Sequence, residues 1–162
     1  MAIAVRRLES GDIEQLLELF DAVAAERIYI GTEPGYDREQ KRRGFESRIG
    51  VDANPSFVAV VEGRVVGSAG VYDHPEFGPT IGMLIAATHR RHGIGRAMMA
   101  ALDDWARSHD VPALHLLVFP HNAAAIAFYR ETGWIEVERF ENDVTRQNGD
   151  VWDTVLMRKT YA

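Results

Sequence analysis

Arg90-Arg91-His92-Gly93-Ile94-Gly95-Arg96 decides how this chain folds. The stretch has the form R-x-x-G-x-G followed by another arginine, and it separates two contrasting patterns. The apolar run Met83 to Ala87 precedes it. Ile94 to Arg107 follows, with Ile94, Ala97, Met98, Ala101, Leu102 and Trp105 on one face at helical spacing. A basic turn of small residues therefore joins a buried strand to the start of a helix. Such a corner presents unbonded backbone N–H groups and the positive end of the helix dipole, and both attract phosphate. Gly93 and Gly95 remove the Cβ atoms that would hold a ligand away from the backbone. A Walker loop needs a lysine here, and none lies near Gly93; a dinucleotide fingerprint needs a third glycine where Met98 stands. A phosphate-bearing ligand of another kind remains, and the structural alternative is an arginine-rich corner that holds no ligand.

Upstream, Ile3 to Leu8 reads as a strand, and Ser10-Gly11-Asp12 supplies helix-start chemistry. Ile13, Leu16, Leu17, Phe20 and Val23 then repeat at helical spacing to about Arg27. Gly31, Pro34 and Gly35 mark a loop. Asp37 caps a second, highly charged helix through about Ile49, whose Arg38, Lys41, Arg42, Arg43 and Arg48 read most simply as a solvated face. Phe57 to Val61 and Val65 to Tyr72 flank Glu62-Gly63-Arg64 as a hairpin. Asp73 to Pro79 reads as a loop and Thr80 to Ala86 as a strand. Downstream come a strand at Ala113 to Phe119, a short helix from Asn122 to Glu131 with Gly133 past its end, and strands at Trp134 to Glu141 and Val151 to Arg158. The order β-α-α-β-β-β-α-β-α-β-β places a βαβ unit inside a mostly antiparallel sheet, with the arginine–glycine corner beyond the strand ends, where ligand crevices form.

Composition narrows the classes. The 162 residues suit one domain, 1–162, and no linker or repeat divides them. A formal net charge of −6 argues against a general nucleic-acid or membrane-surface binder, so the arginines near position 90 are a focused anion site on an acidic protein. The absence of cysteine excludes thiol nucleophiles, disulfides and thiolate metal sites. His89 and His92 form H-x-x-H but lack further ligand spacing, so no metal is expected. The N-terminus lacks the apolar length of a signal peptide, and no apolar run approaches a membrane span; a cytoplasmic location is the expectation.

A second motif lies downstream. Asn122, Ala125, Phe128, Tyr129, Gly133 and Trp134 follow the strand Leu116-Leu117-Val118-Phe119 as N-x-x-A-x-x-F-Y-x-x-x-G-W. Together with R-x-x-G-x-G and the strand Leu84-Ile85-Ala86 before it, this resembles the GCN5-related N-acetyltransferase (GNAT) superfamily over roughly residues 55–160. The resemblance implies an α/β fold with a mixed, mostly antiparallel seven-stranded sheet, about four flanking helices and a central βαβ cofactor unit. It also implies acetyl-CoA as cosubstrate, with no metal. Gly82-Met83-Leu84-Ile85, Trp105-Ala106-Arg107 and Arg146-Gln147-Asn148-Gly149 further resemble bacterial small-amine and amino-acid N-acetyltransferases.

Thioester acyl transfer to an amine sets demands that these residues can meet. Backbone N–H groups across Gly93, Ile94, Gly95, Arg96 and Ala97, with Arg90, Arg91, His92 and Arg96 beside them, form the expected pyrophosphate site. Leu84, Ile85 and Ala86 can pair with an extended pantetheine arm as a missing strand would, and an N–H near Ile85 can donate to the reacting oxygen. Asn122 caps its helix and, by the resemblance, also contacts the cofactor arm. Tyr129 is the expected acid for the departing thiolate, because a phenol with a pKa near 10 is protonated at neutral pH; spacing alone also allows a core aromatic. The base is sought on loops. Glu33, Asp73, His74 and Glu76 lie on loops that can face the acceptor, Glu33 and His74 foremost, and a water chain could serve instead.

Three functions fit these residues. The first is acetyl transfer to the primary amine of a small molecule, an amino acid or a related amine, by direct attack in a ternary complex. The second is acetylation of protein N-termini or lysines, which needs an open groove. The third is a non-catalytic acyl-CoA sensor, against which the intact Gly93, Gly95, Asn122 and Tyr129 count. The exposed edge of a C-terminal strand could pair two copies as a homodimer.

Overall fold

The computed structural model describes residues 1–162. Seven strands form one sheet: β1 (Ala4–Arg7), β2 (Ser56–Val61), β3 (Arg64–His74), β4 (Gly78–Ile85), β5 (Ala113–Val118), β6 (Ile135–Thr145) and β7 (Val151–Thr160). Their spatial order is β1-β2-β3-β4-β5-β7-β6, and every pairing but β4–β5 is antiparallel. The helices are α1 (Ile13–Glu26), α2 (Arg38–Glu46), α3 (Ile94–Ser108) and α4 (Ala123–Glu131). The fold expected from the order of elements is the fold observed.

Alternation along the strands divides the core between the two faces. One face carries Ala59, Val66, Ala69, Ile81, Leu114, Leu116 and Val155 beneath α3 and α4. The α3 helix buries Ile94, Met98, Met99, Leu102, Trp105 and Ala106, and each large apolar side chain removed from water contributes about 1.5–3 kcal/mol. The opposite face carries Val58, Val65 and Leu84 beneath the Ile13, Leu16, Leu17 and Val23 stripe of α1. Arg6 on β1 clamps the start of α1 by a bidentate bond to the buried Asp12 carboxylate at 2.7 and 2.9 Å.

Three elements depart from the sequence reading. The loop read at Asp73 to Pro79 shrinks to residues 75–77, because β3 and β4 pair as far as His74↔Gly78. The last two strands reach Thr145 and Thr160, longer than their apolar runs, because backbone pairing continues to Thr145↔Val151. The second helix stops at Glu46, short of Ile49; Lys41 within it and Arg48 just past its end are half-buried, and Arg38 and Arg42 pair with Glu14, Asp21 and Glu39. On β6, the outer edge of the sheet, Ile135 and Val137 are exposed.

Candidate active site

The site is built where β4 and β5 part. Their parallel pairing is recorded at one position, Thr80↔His115, beyond which the strands splay. From Thr80 to Ile85 the β4 edge runs about 17 Å at roughly 3.3 Å per residue. Backbone alternation decides which of its groups face the gap. The Ala86 N–H donates to Val66 O on β3 (2.8 Å), so the Leu84 N–H also points to β3, while those of Met83 and Ile85 face the cleft. Ala86 is therefore no part of the free edge: its carbonyl is taken as well, by the His89 N–H at 2.9 Å. Leu84 points its side chain into the core beneath α1. Of the strand residues expected to hold the arm, Ile85 keeps its N–H toward the gap.

At the open end of the gap stands the N-terminus of α3. Gly93 occupies its first flanking position at φ +85°, a conformation that any Cβ would strain by about 1–2 kcal/mol. No side chain caps this helix, unlike α2, where Asp37 accepts from the Gln40 N–H, and α4, where Asn122 accepts from the Ala125 N–H at 3.3 Å. The first bond in its turn is Ala97 N–H to Gly93 O at 3.1 Å, which leaves the N–H groups of Ile94, Gly95 and Arg96 facing outward. Gly95 is needed for packing: a Cβ there would lie 3.3 Å from Cζ of Phe128 and 3.5 Å from Cδ1 of Ile85. So β4, α3 and α4 converge at this residue.

The arginines of the corner have separate fates. Arg90 turns away toward α1, where its guanidinium meets both oxygens of Glu26 at 2.8 and 2.6 Å. Its Nε donates to Ile85 O (3.1 Å), and its plane covers the Tyr29 ring. Its charge is neutralised, and it braces the end of β4. Arg91 and His92 are exposed, Arg91 at φ +62°. Arg96 is exposed and meets Glu131 of α4 at 2.8 Å.

Tyr129 lies on the inner face of α4, 9% exposed, between Phe128 and Trp134. A Schellman turn fixes it: Trp134 N–H donates to Tyr129 O (3.0 Å) and Gly133 N–H to Arg130 O (3.2 Å), with Gly133 at φ +101°. Burial alone pushes the phenol pKa up to about 12. The hydroxyl is therefore fully protonated at neutral pH.

The structure separates the two loop residues nominated as bases. Glu33 is held in place: one oxygen accepts from the Gln147 N–H at 2.9 Å, and the other lies 3.5 Å from Arg146 Nε and 3.7 Å from Arg27. His74 closes the β3–β4 hairpin at the far end of β4 from α3, where its Nδ1 accepts from the Glu76 N–H (3.1 Å) and its ring stacks on Phe77 at 4.2 Å.

Two residues of consequence were not nominated from the sequence. Arg146 is 4% exposed, sandwiched against Trp152 (4.3 Å) and Phe119 (5.5 Å), and donates to Ile30 O and Gly31 O. It ties the α1–α2 loop to the β6–β7 turn; its place in the Arg-x-Asn-Gly run was the available signal. His115 sits at the apex of the splay with a buried, unpartnered Nδ1. Burial, with Arg158 beside it, lowers its pKa below the usual 6.5, so the ring is neutral at pH 7. Nothing in an isolated histidine on a strand would have revealed this.

Comparison with known proteins agrees with this geometry. The Acetyltransferase (GNAT) family profile matches residues 14–134. The ribosomal-protein-alanine N-acetyltransferase of Brucella melitensis superposes with a TM-score of 0.88 at 28% identity, covering 98% of this chain and 99% of its own. A putative acetyltransferase from Salmonella typhimurium, solved with its cofactor acetyl-CoA, gives 0.86 at 19% identity, with 99% and 94% covered. A phosphinothricin acetyltransferase from Sinorhizobium meliloti in complex with acetyl-CoA gives 0.84 at 18%, with 100% and 90% covered. With a family profile spanning most of its length and a sheet that splays beside an uncapped helix, this chain is an enzyme of the GNAT N-acetyltransferase family.

Proposed function

We propose that the enzyme transfers an acetyl group from acetyl-CoA to the primary amine of a small molecule by direct attack in a ternary complex. The observation that carries the reading is the splay between β4 and β5, open at the free N–H groups of α3. The residues fit the cofactor: three outward N–H groups, a turn without Cβ at Gly93, and the exposed Arg91, His92 and Arg96 suit a pyrophosphate. Arg90 contributes as a positioning residue through Glu26 and Ile85. Asn122 caps α4 at the same mouth. When bound, acetyl-CoA supplies an activated thioester carbonyl.

The Ile85 N–H, facing the gap, donates to the carbonyl oxygen as it gains charge. Tyr129 donates its proton to the departing sulfur, its raised pKa keeping that proton in place until it is needed. The ammonium of the acceptor must first lose a proton. Glu33, committed to Arg146 and Gln147, acts by holding the acceptor loop, and His74 borders the hairpin side. His115 stands opposite Thr80, about 17 Å along β4 from Ile85, with its Nδ1 buried, so passage of the proton to water is the simpler route.

The small-molecule reading is favoured by the loop clamp. Arg146 and Gln147 bind Ile30, Gly31, Glu33 and Pro34, and so fasten one wall of the acceptor side to the other. A peptide acceptor wants these walls apart. The likeness to the ribosomal-protein-alanine enzyme supports the second reading, a protein N-terminus. Steady-state CoA release with a panel of amines, amino acids and N-terminal peptides decides between them. Turnover of small amines is expected; turnover of peptides alone would overturn the reading. The exposed Ile135 and Val137 on edge strand β6 support a homodimer, which sedimentation would test.

A further inference from the structure

We propose that the acceptor carries a carboxylate beside its amine, and that Lys41 and Arg48 receive that carboxylate above the Gly70–Gly82 step of the sheet. The inference rests on the small-molecule reading above.

Lys41 and Phe45 fall at i and i+4 on the inward side of α2, and Arg48 follows in the turn past its end, its N–H donating to Phe45 O at 3.0 Å. Phe45 anchors that side, its ring 5.3 Å from Phe20 of α1. The Lys41 ammonium lies 4.5 Å from the centre of the Phe20 ring and 3.4 Å from the Thr32 hydroxyl. Arg48 reaches over β3, where a Cβ on Gly70 would lie 3.4 Å from its guanidinium. Both cations are half-buried, and neither has a carboxylate partner, although acids outnumber bases in this chain. Half-buried cations without a counter-charge carry a desolvation cost that a bound anion would offset. Burial lowers the Lys41 pKa, and the charge of Arg48 lowers it further.

The floor is covered at Gly70, where a Cβ would meet Arg48, Ser56 and Pro55 at 3.4–3.6 Å, and is bare at Gly82. Gly70 and Gly82 are paired directly across β3 and β4, their Cα atoms about 5.5 Å apart, on the α1 side of the sheet. A Cβ on Gly82 would meet no atom within 4 Å, and the residue is exposed. Gly82 stands two positions beyond Thr80, where the splay begins, so this open position borders the cleft. Tyr72, on the same face two residues past Gly70, offers a hydroxyl, and burial keeps it protonated. A small amino acid lying over Gly82 would place its carboxylate toward Arg48 and Lys41 and its amine toward the β4 edge that holds Ile85.

The test uses the full chain with acetyl-CoA and compares each of the common L-amino acids with its C-terminal amide, following CoA release. For the best acceptor, kcat/KM should favour the acid over the amide by about tenfold or more. Lys41→Met and Arg48→Met should each raise the acceptor KM about ten- to hundredfold, bring the acid-to-amide ratio toward one and leave the acetyl-CoA KM unchanged. Arg48→Lys should restore part of the preference, and Lys41→Gln guards against an apolar variant that fails to fold. Gly82→Val, which adds a side chain at this open position of ordinary φ, should raise the KM of acids and amides alike. Equal use of acids and amides by the native enzyme, or a preference that survives in Lys41→Met and Arg48→Met, would overturn the inference alone. No CoA release with any of these compounds, while N-terminal peptides are acetylated, would overturn the small-molecule reading as well.

Discussion

Thr80 and His115 form the one recorded pair between the two parallel strands at the centre of this sheet, and the cleft starts at that pair. The Thr80 side chain is fully buried, and His115 beside it is neutral because burial lowers its pKa. That shift has a consequence for stability. Between its lowered native pKa and the ordinary 6.5, His115 binds more proton in the unfolded chain than in the folded one, so stability is complete above pH 6.5 and declines as pH falls below it. His115→Gln should flatten the fall in melting temperature between pH 7.5 and 5.5. A melting curve that falls as steeply in the variant would show that His115 carries none of the effect.

Tyr129→Phe retains the ring that packs between Phe128 and Trp134 and removes the hydroxyl alone. Turnover should fall about 10²- to 10⁴-fold, with acetyl-CoA affinity little changed. Because the phenol pKa is raised to about 12, no alkaline limb from this group should appear below pH 10 in the native enzyme. Native-like turnover of the variant, with chemistry rate-limiting, would assign Tyr129 to packing.

Gly95→Asp places a side chain against Phe128 and Ile85 and a negative charge among the free N–H groups of α3. Acetyl-CoA should no longer raise the melting temperature of this variant by mass action. Gly95→Ala isolates the steric part: its Cβ, 3.3 Å from Phe128, demands a small shift and should weaken binding less. Unaltered calorimetric affinity in Gly95→Asp would remove the pyrophosphate from this corner.

The half-buried pair of Arg90 and Glu26 links the end of β4 to the end of α1. Glu26→Gln should destabilise the fold by about 1–3 kcal/mol, the usual range for leaving a buried polar group short of its partner. It should also weaken cofactor binding through the mobility of Ile85, whose carbonyl Arg90 holds. Denaturant titration and acetyl-CoA binding measure the two effects.

Glu33→Gln keeps the shape of the side chain and removes its charge opposite Arg146 and Arg27. Because Glu33 fastens the α1–α2 loop, the variant should raise the acceptor KM several-fold while the pH–rate profile keeps its acidic limb. A lost acidic limb would make Glu33 the base instead. His74→Ala, at the distant hairpin, should affect the acceptor KM less than Glu33→Gln.

Local pattern determined much of this protein. The helical stripe from Ile94 to Trp105, the hairpin at Glu62-Gly63, the cap at Asn122 and the stop at Gly133 are short-range properties, set by backbone geometry within a few residues. The glycine corner and the Asn–Tyr motif were legible for the same reason, and with them the family. The tertiary structure decided what each side chain faces. Arg90 reads as a phosphate partner until Glu26, 64 positions away, is found beside it. Glu33 reads as a free loop acid until Arg146 and Gln147 close on it. Lys41 and Arg48 read as a solvated face until the folded chain half-buries both, Lys41 against Phe20 and Arg48 over Gly70. Charge and burial depend on neighbours that only the folded sheet brings together, so no one-dimensional pattern could specify them.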